Sequence, residues 1–132
     1  EICACLVGSE MCIRDRVTDQ GAREGNYLES SATALFIYTL AKAINKGYIG
    51  NEYIEPTQKA FDGMVKTFTR LEEDGSYTIT NCCAVAGLGG DSKRYRDGSF
   101  EYYISEPIIE NDPKSVGSFI LAAIEYEKMT KK

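Results

Sequence analysis

The segment from Tyr27 to Lys46 has the pattern of a helix with almost no polar face, and this feature restricts the fold more than any other in the sequence. The apolar stripe comprises Ala32, Leu35, Phe36, Thr39, Leu40, Ala43 and Ile44, and the opposite side carries Ile37, Tyr38 and Ala41. A helix with so little polar surface is usually buried on most of its faces. Gly47 follows where a helix end favours a left-handed residue. The pattern therefore predicts a buried helix that ends at Lys46.

Two further helical patterns follow. The first spans about Glu52 to Leu71, and its apolar stripe comprises Tyr53, Thr57, Ala60, Phe61, Met64, Val65, Phe68 and Leu71. Its other side is polar, as in an outer helix that faces solvent; this side carries Gln58, Lys59, Asp62, Lys66 and Arg70. The last helix is expected to begin with Asp112 as N-cap and Pro113 at its first position. It is predicted to be buried through Val116, Phe119, Ile120, Ala123 and Ile124, with Leu121 and Ala122 widening the stripe, and to fray over Lys128–Lys132.

The order buried, amphipathic, buried is what an α/α-toroid requires, because each of its helical hairpins contributes an inner and an outer helix. Between the second and last helices, Glu72–Gly75 reads as a turn, and Tyr77, Ile79 and Cys82 alternate with threonines as in a short strand. A long glycine-rich loop is predicted from Ala86 to Glu110. We therefore predict an all-α toroid segment with a short β-like piece. A free-standing three-helix bundle is the alternative, and it would require three amphipathic helices.

The chain contains no histidine. This excludes histidine-dependent triads and imidazole bases within it, so any acid–base chemistry must use carboxylates, Tyr, Lys or Cys. The net charge is −5 and no basic patch is interleaved with aromatic residues, so we expect no nucleic-acid partner. No apolar run approaches the roughly 20 residues of a membrane helix, so we expect no membrane partner.

The five cysteines form two groups, Cys3, Cys5 and Cys12 near the start and the adjacent pair Cys82 and Cys83. Adjacent cysteines rarely bridge one another, and there is no C-x-x-C pair. Neither a disulfide framework nor a zinc site is therefore expected. Small buried thiols are the better interpretation of Cys82 and Cys83.

Residues 1–16 differ from the rest of the chain and read EICACLVGSEMCIRDR. The segment starts with Glu and lacks the basic region and the long apolar stretch of a signal peptide. Its CLVGSEMCIRDR string resembles translated adapter read-through from short sequencing reads. We interpret residues 1–16 as a non-native leader and residues 17–132 as the C-terminal part of a larger domain. An authentic short strand or helix of an upstream region is the alternative.

Three motifs in sequence resemble signatures of glycoside hydrolase family 105, the unsaturated rhamnogalacturonyl hydrolases. They are Gly25–Phe36 (GNYLESSATALF), Val85–Gly90 (VAGLGG) and Arg96–Pro107 (RDGSFEYYISEP), followed by Asn111-Asp112 and Val116-Gly117. The resemblance covers Val17 to about Glu127. The related family 88 glucuronyl hydrolases share the fold but resemble this segment less well.

This resemblance implies a segment of an (α/α)6 toroid of the six-hairpin glycosidase type, with its active site at one mouth. The implied enzyme releases 4,5-unsaturated galacturonic acid from rhamnogalacturonan oligosaccharides. In place of two-carboxylate hydrolysis, an aspartate protonates the C4–C5 enol ether, water adds at C5, and the hemiketal collapses. The family places that aspartate upstream of Val17, together with a histidine and tryptophans of the pocket. This chain would therefore carry no catalytic residue and would be inactive alone.

The same resemblance implies no metal or cofactor. The expected partners are an oligosaccharide with an unsaturated uronyl-rhamnose end and the missing N-terminal part of the domain. We expect a cytoplasmic parent, with the periplasm as the alternative. A small helical module that binds a carbohydrate or a protein without catalysis is the rival function. Such a module would be monomeric alone, whereas a toroid segment would expose apolar surface and aggregate.

The candidate substrate-binding residues form two groups. Asn26, Glu29 and Ser30 precede or start the buried helix, where they could bind sugar hydroxyls or instead cap free backbone amides. Arg96 and Asp97 could orient a uronate carboxylate through the guanidinium or form a salt bridge that locks the loop. Ser99 and Tyr102, with Tyr103, could contact sugar hydroxyls and offer a stacking surface, or pack the loop onto the toroid. Gly87, Gly89 and Gly90 lack phosphate-loop spacing and predict a tight turn.

Overall fold

The computed structural model describes residues 15–21, 23–90 and 95–131 and shows a mainly helical chain. Its helices are α1 (Ser30–Lys46), α2 (Ile54–Phe68), α3 (Phe100–Ser105) and α4 (Pro113–Thr130), and a 3-10 turn at Asn51–Tyr53 leads into α2. Two antiparallel ladders pair β1 (Thr69–Leu71) with β2 (Tyr77–Ile79) and β3 (Cys82–Cys83) with β4 (Ile108–Ile109). The predicted all-α toroid segment with a short β piece is confirmed.

Helix α1 is the central element, as its apolar pattern predicted. It begins three residues later than expected because Glu29 is extended, with φ −109° and ψ 126°, and caps the helix through its side chain. It ends at Lys46, and Gly47 adopts the expected left-handed conformation with φ 70°. Most of its faces are covered, but Leu35 remains 47% exposed. The prediction of a mostly buried helix is therefore confirmed, with one narrow side open.

The core lies where α1 contacts α2 and α4. It consists of Ala34 and Ile37 from α1, Ala60, Met64 and Phe68 from α2, and Phe119 and Ala122 from α4. A second cluster toward the C-terminal end of α1 contains Ala41, Ile44 and Met129. Beside it the rings of Phe61 and Tyr126 stack with centroids 3.9 Å apart. Through these contacts the three long helices, α1, α2 and α4, pack against one another.

Helix α2 is the expected outer helix, but it is shorter than predicted. Thr57, Ala60, Met64 and Phe68 are buried, whereas Lys59, Asp62 and Lys66 face solvent. The chain leaves the helix at Thr69, which is extended and starts β1. Leu71 therefore lies in a strand and is 62% exposed, and Val65 is 39% exposed, so their assignment to the buried stripe was wrong.

The region after α2 carries more structure than the sequence predicted. The predicted strand at Tyr77–Ile79 is present, with Tyr77 66% exposed and Thr78 buried. Thr78 lies opposite Arg70 in the ladder and accepts a hydrogen bond from the Asn111 side chain at 3.4 Å. The predicted loop from Ala86 to Glu110 contains α3 and β4.

Helix α4 starts as predicted but packs with a different face. Asp112 caps it and Pro113 occupies its first turn. The buried residues are Ser115, Ser118, Phe119, Ala122 and Met129. The predicted stripe is correct for Phe119 and wrong for the residues on its other edge, since Ile120 is 54%, Leu121 43% and Ile124 44% exposed. The predicted fraying from Lys128 was also wrong, because the helix continues to Thr130.

These residues give α4 an open apolar face, which we define as Gly117, Ile120, Leu121, Ala123 and Ile124. Its members lie on one side of the helix, away from the serines that face α1. Isolated exposed apolar residues are ordinary, but a contiguous face of this kind marks a surface that contacts a partner.

The N-cap of α4 should make stability depend on pH. Hydrogen bonds from the Lys114 side chain and backbone N–H lower the pKa of Asp112 below its ordinary 3.8. A carboxyl group whose pKa is lowered in the folded state stabilises the fold at pH values above its ordinary pKa. This stabilisation is lost as the pH falls through the folded-state pKa. Asp112→Asn keeps an acceptor for the Lys114 amide but loses the charge. We expect the urea midpoint of this variant to lie below that of wild type near neutral pH and to approach it in acid. A difference between the two midpoints that stays the same at both pH values would show that the Asp112 charge is not its cause.

No described helix is long and apolar enough to cross a membrane. Cys82 and Cys83 are buried free thiols, as predicted, and burial raises the pKa of Cys82 to about 11. Cys3, Cys5 and Cys12 lie outside the described residues, as do residues 1–14. The interpretation of residues 1–16 as a leader therefore stays a prediction.

Candidate functional site

Asn26 holds the loop that precedes α1. Its side-chain oxygen accepts hydrogen bonds from the backbone N–H groups of Val17 and Tyr27, both at 3.1 Å. Its side-chain nitrogen donates to the carbonyls of Val17 and Gln20, both at 2.9 Å. Both ends of the amide are thus occupied by the backbone. The geometry favours a structural role for Asn26 in this loop over a contact with a sugar.

Glu29 is a buried N-cap that also joins two parts of the fold. Its carboxylate accepts hydrogen bonds from the Ala32 amide at 2.7 Å and from the Ser31 hydroxyl at 2.9 and 3.0 Å. It further accepts from the Cys83 amide in β3 at 3.1 Å. A buried carboxylate requires such donors, and here each of them comes from the protein. The capping interpretation therefore accounts for Glu29.

Ser30 faces the helix interface. It is fully buried, and its hydroxyl lies 2.8 Å from that of Ser115 in α4, while its N–H donates to the Asn81 carbonyl at 3.0 Å. The structure thus places Ser30 in the packing between α1 and α4. It does not bring Ser30 to a surface that could meet a sugar.

The Ser30–Ser115 contact should act on stability. Ser30→Ala leaves the buried Ser115 hydroxyl without this partner, and we expect it to lower the free energy of unfolding by about 1–2 kcal/mol. In Ser30→Ala/Ser115→Ala both groups are gone, so the loss should be smaller than the sum of the single losses. Urea unfolding of the four proteins measures this coupling, and additive losses would show that the two hydroxyls do not interact.

The loop that follows β3 brings Arg96 to a buried carboxylate. Gly89 and Arg96 exchange backbone hydrogen bonds of 2.8 and 2.9 Å, which fixes the backbone of Arg96. Its Nε lies 4.0 Å from the Glu106 carboxylate, whose side chain is 0% exposed, while 32% of the Arg96 side chain remains exposed. A Cβ on Gly87 would lie 3.3 Å from the Arg96 guanidinium, so this close approach favours glycine.

Tyr102 completes this cluster. Burial raises the pKa of its hydroxyl and the neighbouring Glu106 carboxylate raises the pKa further, while the positive charge of Arg96 opposes the shift. The backbone around Glu106 is fixed because the Pro107 carbonyl accepts from the Ala84 amide at 2.9 Å, next to the pairing of β3 with β4. We call Arg96, Tyr102 and Glu106 the rim cluster.

Glu106 is the site residue that sequence reasoning missed. It lies within the RDGSFEYYISEP motif but was not selected, because nothing in a linear sequence distinguishes a buried carboxylate from an exposed one. Its position still gave a hint, since Glu106 precedes a proline at the end of an aromatic segment for which packing onto the toroid was one interpretation. A charged residue in such a place is almost always paired when buried.

Asp97 and Ser99 shape the start of α3. The Asp97 carboxylate accepts a hydrogen bond from the Ser99 amide at 2.9 Å, and hydrogen bonds from Ser99 lower its pKa. The Ser99 hydroxyl caps α3 by accepting from the Tyr102 amide at 3.1 Å. Among the described residues, the ion pair of Arg96 is with Glu106, so a salt bridge between Arg96 and Asp97 was the wrong pairing.

The tyrosines Tyr102 and Tyr103 and the glycines of the Val85–Gly90 motif belong to the same region as the rim cluster. The rings of Tyr102 and Tyr103 lie 5.1 Å apart at a tilt of 50°. Gly89 and Gly90 adopt positive φ, 76° and 130°, which confirms the predicted tight turn. Within the described part of the chain, no group of three or more metal-binding side chains comes together.

Two shallow clefts lie at the opposite end of the helices. One of about 240 Å³ is lined by Tyr38, Thr39, Lys42, Ala43, Lys46 and Tyr48. The other, of about 440 Å³, is lined by Lys42, Asn45, Lys46, Glu125 and Lys128. Both lie toward the C-terminal end of α1, whereas the rim cluster lies near its N-terminal end, beside the β3 strand that bonds Glu29. They are separate from the candidate site.

Solved structures show the same fold. The chain aligns with a family 105 glycoside hydrolase from C. acetobutylicum ATCC 824 at a TM-score of 0.84 and 43% identity, over 87% of this chain and 31% of that one. It also aligns with a possible GH105 member from Klebsiella pneumoniae at a TM-score of 0.69 and 24% identity, over 95% of this chain and 28% of that one. The second likeness concerns the fold alone.

Sequence comparison identifies the family. The chain is 36% identical over 114 residues to "Protein Atu3128" of Agrobacterium fabrum and equally to the "24.9 kDa protein in picA locus" of Rhizobium radiobacter. The match covers 83% of the chain and 49% of each relative, so the chain spans about half the length of these curated relatives. The family model described as Glycosyl Hydrolase Family 88 matches residues 13–130. The chain therefore belongs to Glycosyl Hydrolase Family 88 and has the fold of the GH105 glycoside hydrolases.

Proposed function

We propose that this chain is the C-terminal part of a glycosidase that releases 4,5-unsaturated galacturonic acid from rhamnogalacturonan oligosaccharides. The observation that carries the proposal is the 43% identity to a family 105 glycoside hydrolase across 87% of the chain. Family membership supports a carbohydrate substrate. The enol-ether hydration and the rhamnogalacturonan substrate come from the motif resemblance.

The candidate carboxylates of this chain support the expectation that the catalytic acid lies elsewhere. Glu29 is occupied by donors from Ser31, Ala32 and Cys83. A general acid must reach the proton acceptor of the substrate within hydrogen-bond distance. Neither Glu29 nor Glu106 meets this requirement, because both are buried. Asp97 is exposed, but its lowered pKa makes it a poor proton donor at neutral pH.

In this proposal the chain supplies a rigid rim for the sugar site. Asn26, Glu29 and Ser30 fix the start of α1, and Asp97 and Ser99 fix the start of α3. Arg96, whose side chain is 32% exposed, is the candidate sugar contact, whereas the Tyr102 hydroxyl is buried. Sites work best when the residues that touch the ligand are held by a supporting layer of this kind.

The test is an assay of the longer protein on unsaturated rhamnogalacturonan disaccharide, following the ultraviolet absorbance of the C4–C5 double bond. The proposal predicts that absorbance falls as the sugar is released and that the 132-residue chain alone gives no change. The saturated disaccharide is the matched control and should not be cleaved. Cleavage of both substrates at similar rates would show that the proposed reaction is wrong, and turnover by this chain alone would show that the catalytic acid does not lie elsewhere.

A further inference from the structure

We propose that the two clefts at the C-terminal end of α1 form a second binding site, which takes an elongated acidic oligosaccharide through its carboxylates. The clefts belong together because Lys42 and Lys46 line both of them. The choice of an acidic sugar as ligand rests on the proposed function. The site itself rests on the side chains that line the clefts.

Lys42 and Lys46 form a ridge between the two clefts. They lie four residues apart in α1, and residues at this spacing share one face of a helix with Cβ atoms about 5–6 Å apart. The larger cleft, of about 440 Å³, lies on the flank of Asn45 and falls within the range of about 300–1,000 Å³ typical of small-ligand sites. The smaller cleft, of about 240 Å³, lies on the flank of Thr39 and Ala43. A ligand that occupies both clefts therefore lies across the two lysines.

The larger cleft has a local excess of positive charge in a chain whose net charge is −5. Its lining holds one carboxylate, that of Glu125, and three lysines: Lys42, Lys46 and Lys128. Glu125 is already occupied, because Lys128 pairs with it at 2.9 Å and the Asn45 amide donates to it at 3.1 Å. Within the described part of the chain, no salt bridge holds Lys42 or Lys46. Their ammonium groups are therefore available to an anion.

The side chain of Lys42 is held in position beside the smaller cleft. Its ammonium group donates a hydrogen bond to the Tyr38 hydroxyl, and this bond raises the pKa of Lys42 above its ordinary value of 10.5. Lys42 therefore keeps its positive charge at every pH near neutrality. An ammonium group has three N–H donors, so two of them remain for a ligand.

Two tyrosines of the smaller cleft supply a surface for a sugar ring. Tyr38 is half-buried, and Tyr48, which follows the end of α1, is 79% exposed. Tyrosine combines an apolar ring with a polar hydroxyl, which suits a ligand that has both apolar faces and hydroxyls. An inorganic anion would use the lysines alone. An acidic oligosaccharide would use the lysines for a carboxylate and Tyr48 for a neighbouring ring.

This site is separate from the rim cluster. At 1.5 Å of rise per residue, Lys42 lies about 18 Å along α1 from Ser30, which marks the end near the rim cluster. Lys46 and Lys128 also lie in the last turns of their helices, where positive charge stabilises a helix end. That role would change stability and would require no ligand, so a binding measurement distinguishes the two roles.

The experiment is saturation-transfer difference NMR on the 132-residue chain with three probes. Trigalacturonate carries three carboxylates on sugar rings, maltotriose carries three rings without charge, and citrate carries three carboxylates without a ring. We expect trigalacturonate to bind at least about tenfold more tightly than maltotriose and at least about threefold more tightly than citrate. Equal binding of maltotriose, equal binding of citrate, or no binding of trigalacturonate would overturn the proposal.

Substitutions locate the binding on the chain. Lys42→Gln/Lys46→Gln should weaken trigalacturonate binding at least about tenfold. The matched control is Lys59→Gln/Lys66→Gln, which removes the same two charges from the exposed side of α2 and should bind as wild type does. Equal losses in both variants would show that net charge alone governs binding and would contradict the proposal.

Tyr48→Ala tests the ring contact independently, and the fold should tolerate it because Tyr48 is largely exposed. We expect this variant to bind trigalacturonate at least about threefold more weakly and citrate as wild type does. An unchanged affinity for trigalacturonate would show that no sugar ring lies against Tyr48, and the assignment of an oligosaccharide would be wrong.

The longer protein provides the last comparison. There the substitutions at Lys42 and Lys46 should again weaken trigalacturonate binding, and unchanged binding would show that the rest of the domain covers the clefts, which would overturn the proposal. Turnover of the unsaturated disaccharide tests the proposed function separately. A longer protein without that activity would refute the proposed reaction, whereas loss of binding at the lysines refutes this site alone.

Discussion

Glu29→Ala is expected to lower the free energy of unfolding by about 2–4 kcal/mol, a large part of the stability of a small chain. The substitution removes the cap of α1 and leaves the Ala32 amide and the buried Cys83 amide without their acceptor. An N-cap contributes about 1 kcal/mol, and a buried unsatisfied donor adds about 1–3 kcal/mol. Equilibrium unfolding in urea, followed by far-UV circular dichroism, measures the loss.

The matched control is Glu101→Ala, which removes an exposed glutamate in the first turn of α3. Surface substitutions of this kind usually change stability by no more than about 0.5 kcal/mol. If Glu29→Ala unfolds at the same urea concentration as wild type, the carboxylate does not hold the fold. Glu29 would then be available to a ligand, as the sequence alone allowed.

A chain with Ile120→Lys and Ile124→Lys is expected to self-associate at least about tenfold more weakly than wild type. Both isoleucines belong to the open apolar face of α4 and are about half exposed. Full burial of such a side chain contributes roughly 1.5–3 kcal/mol, so contact with a partner surface that covers both side chains would stabilise the association. Charges at these positions oppose that contact. Light scattering across a concentration series measures the effect.

The control for charge is a chain with Gln58→Lys and Thr67→Lys, which adds the same two positive charges to the outer helix α2. It should associate as wild type does. If both variants self-associate equally more weakly than wild type, net charge and not the apolar face governs the self-association. The prediction would then be wrong even though the face exists.

The long helices could be predicted because their signals are local. Gly47 and the Asp112-Pro113 pair mark helix ends through backbone preferences that operate within a few residues. The packed face of α4 could not be predicted in the same way. This helix is apolar on two sides, and periodicity cannot say which side meets α1. The small residues Ser115, Ser118 and Ala122 permit the close approach, so the larger Ile120 and Ile124 point away.

The candidate site shows the same limit. The motifs directed the search for site residues to particular segments, and both interpretations of Asn26, Glu29 and Ser30 remained open. Geometry favours the structural one, because protein groups occupy their side chains, and two of these partners, Cys83 and Ser115, are distant in sequence. Glu106 was missed for a related reason. It lies next to the ladder that pairs β3 with β4, and no local pattern encodes that ladder.

We propose that the open apolar face of α4 is a surface for further helices of a larger ring. Support comes from the 0.84 TM-score match, in which this chain covers 31% of a family 105 structure. Sedimentation velocity of the unmodified chain over a range of concentrations tests this claim directly. We predict a sedimentation coefficient that rises with concentration as apolar faces meet. A single concentration-independent monomer that also melts cooperatively would contradict the claim.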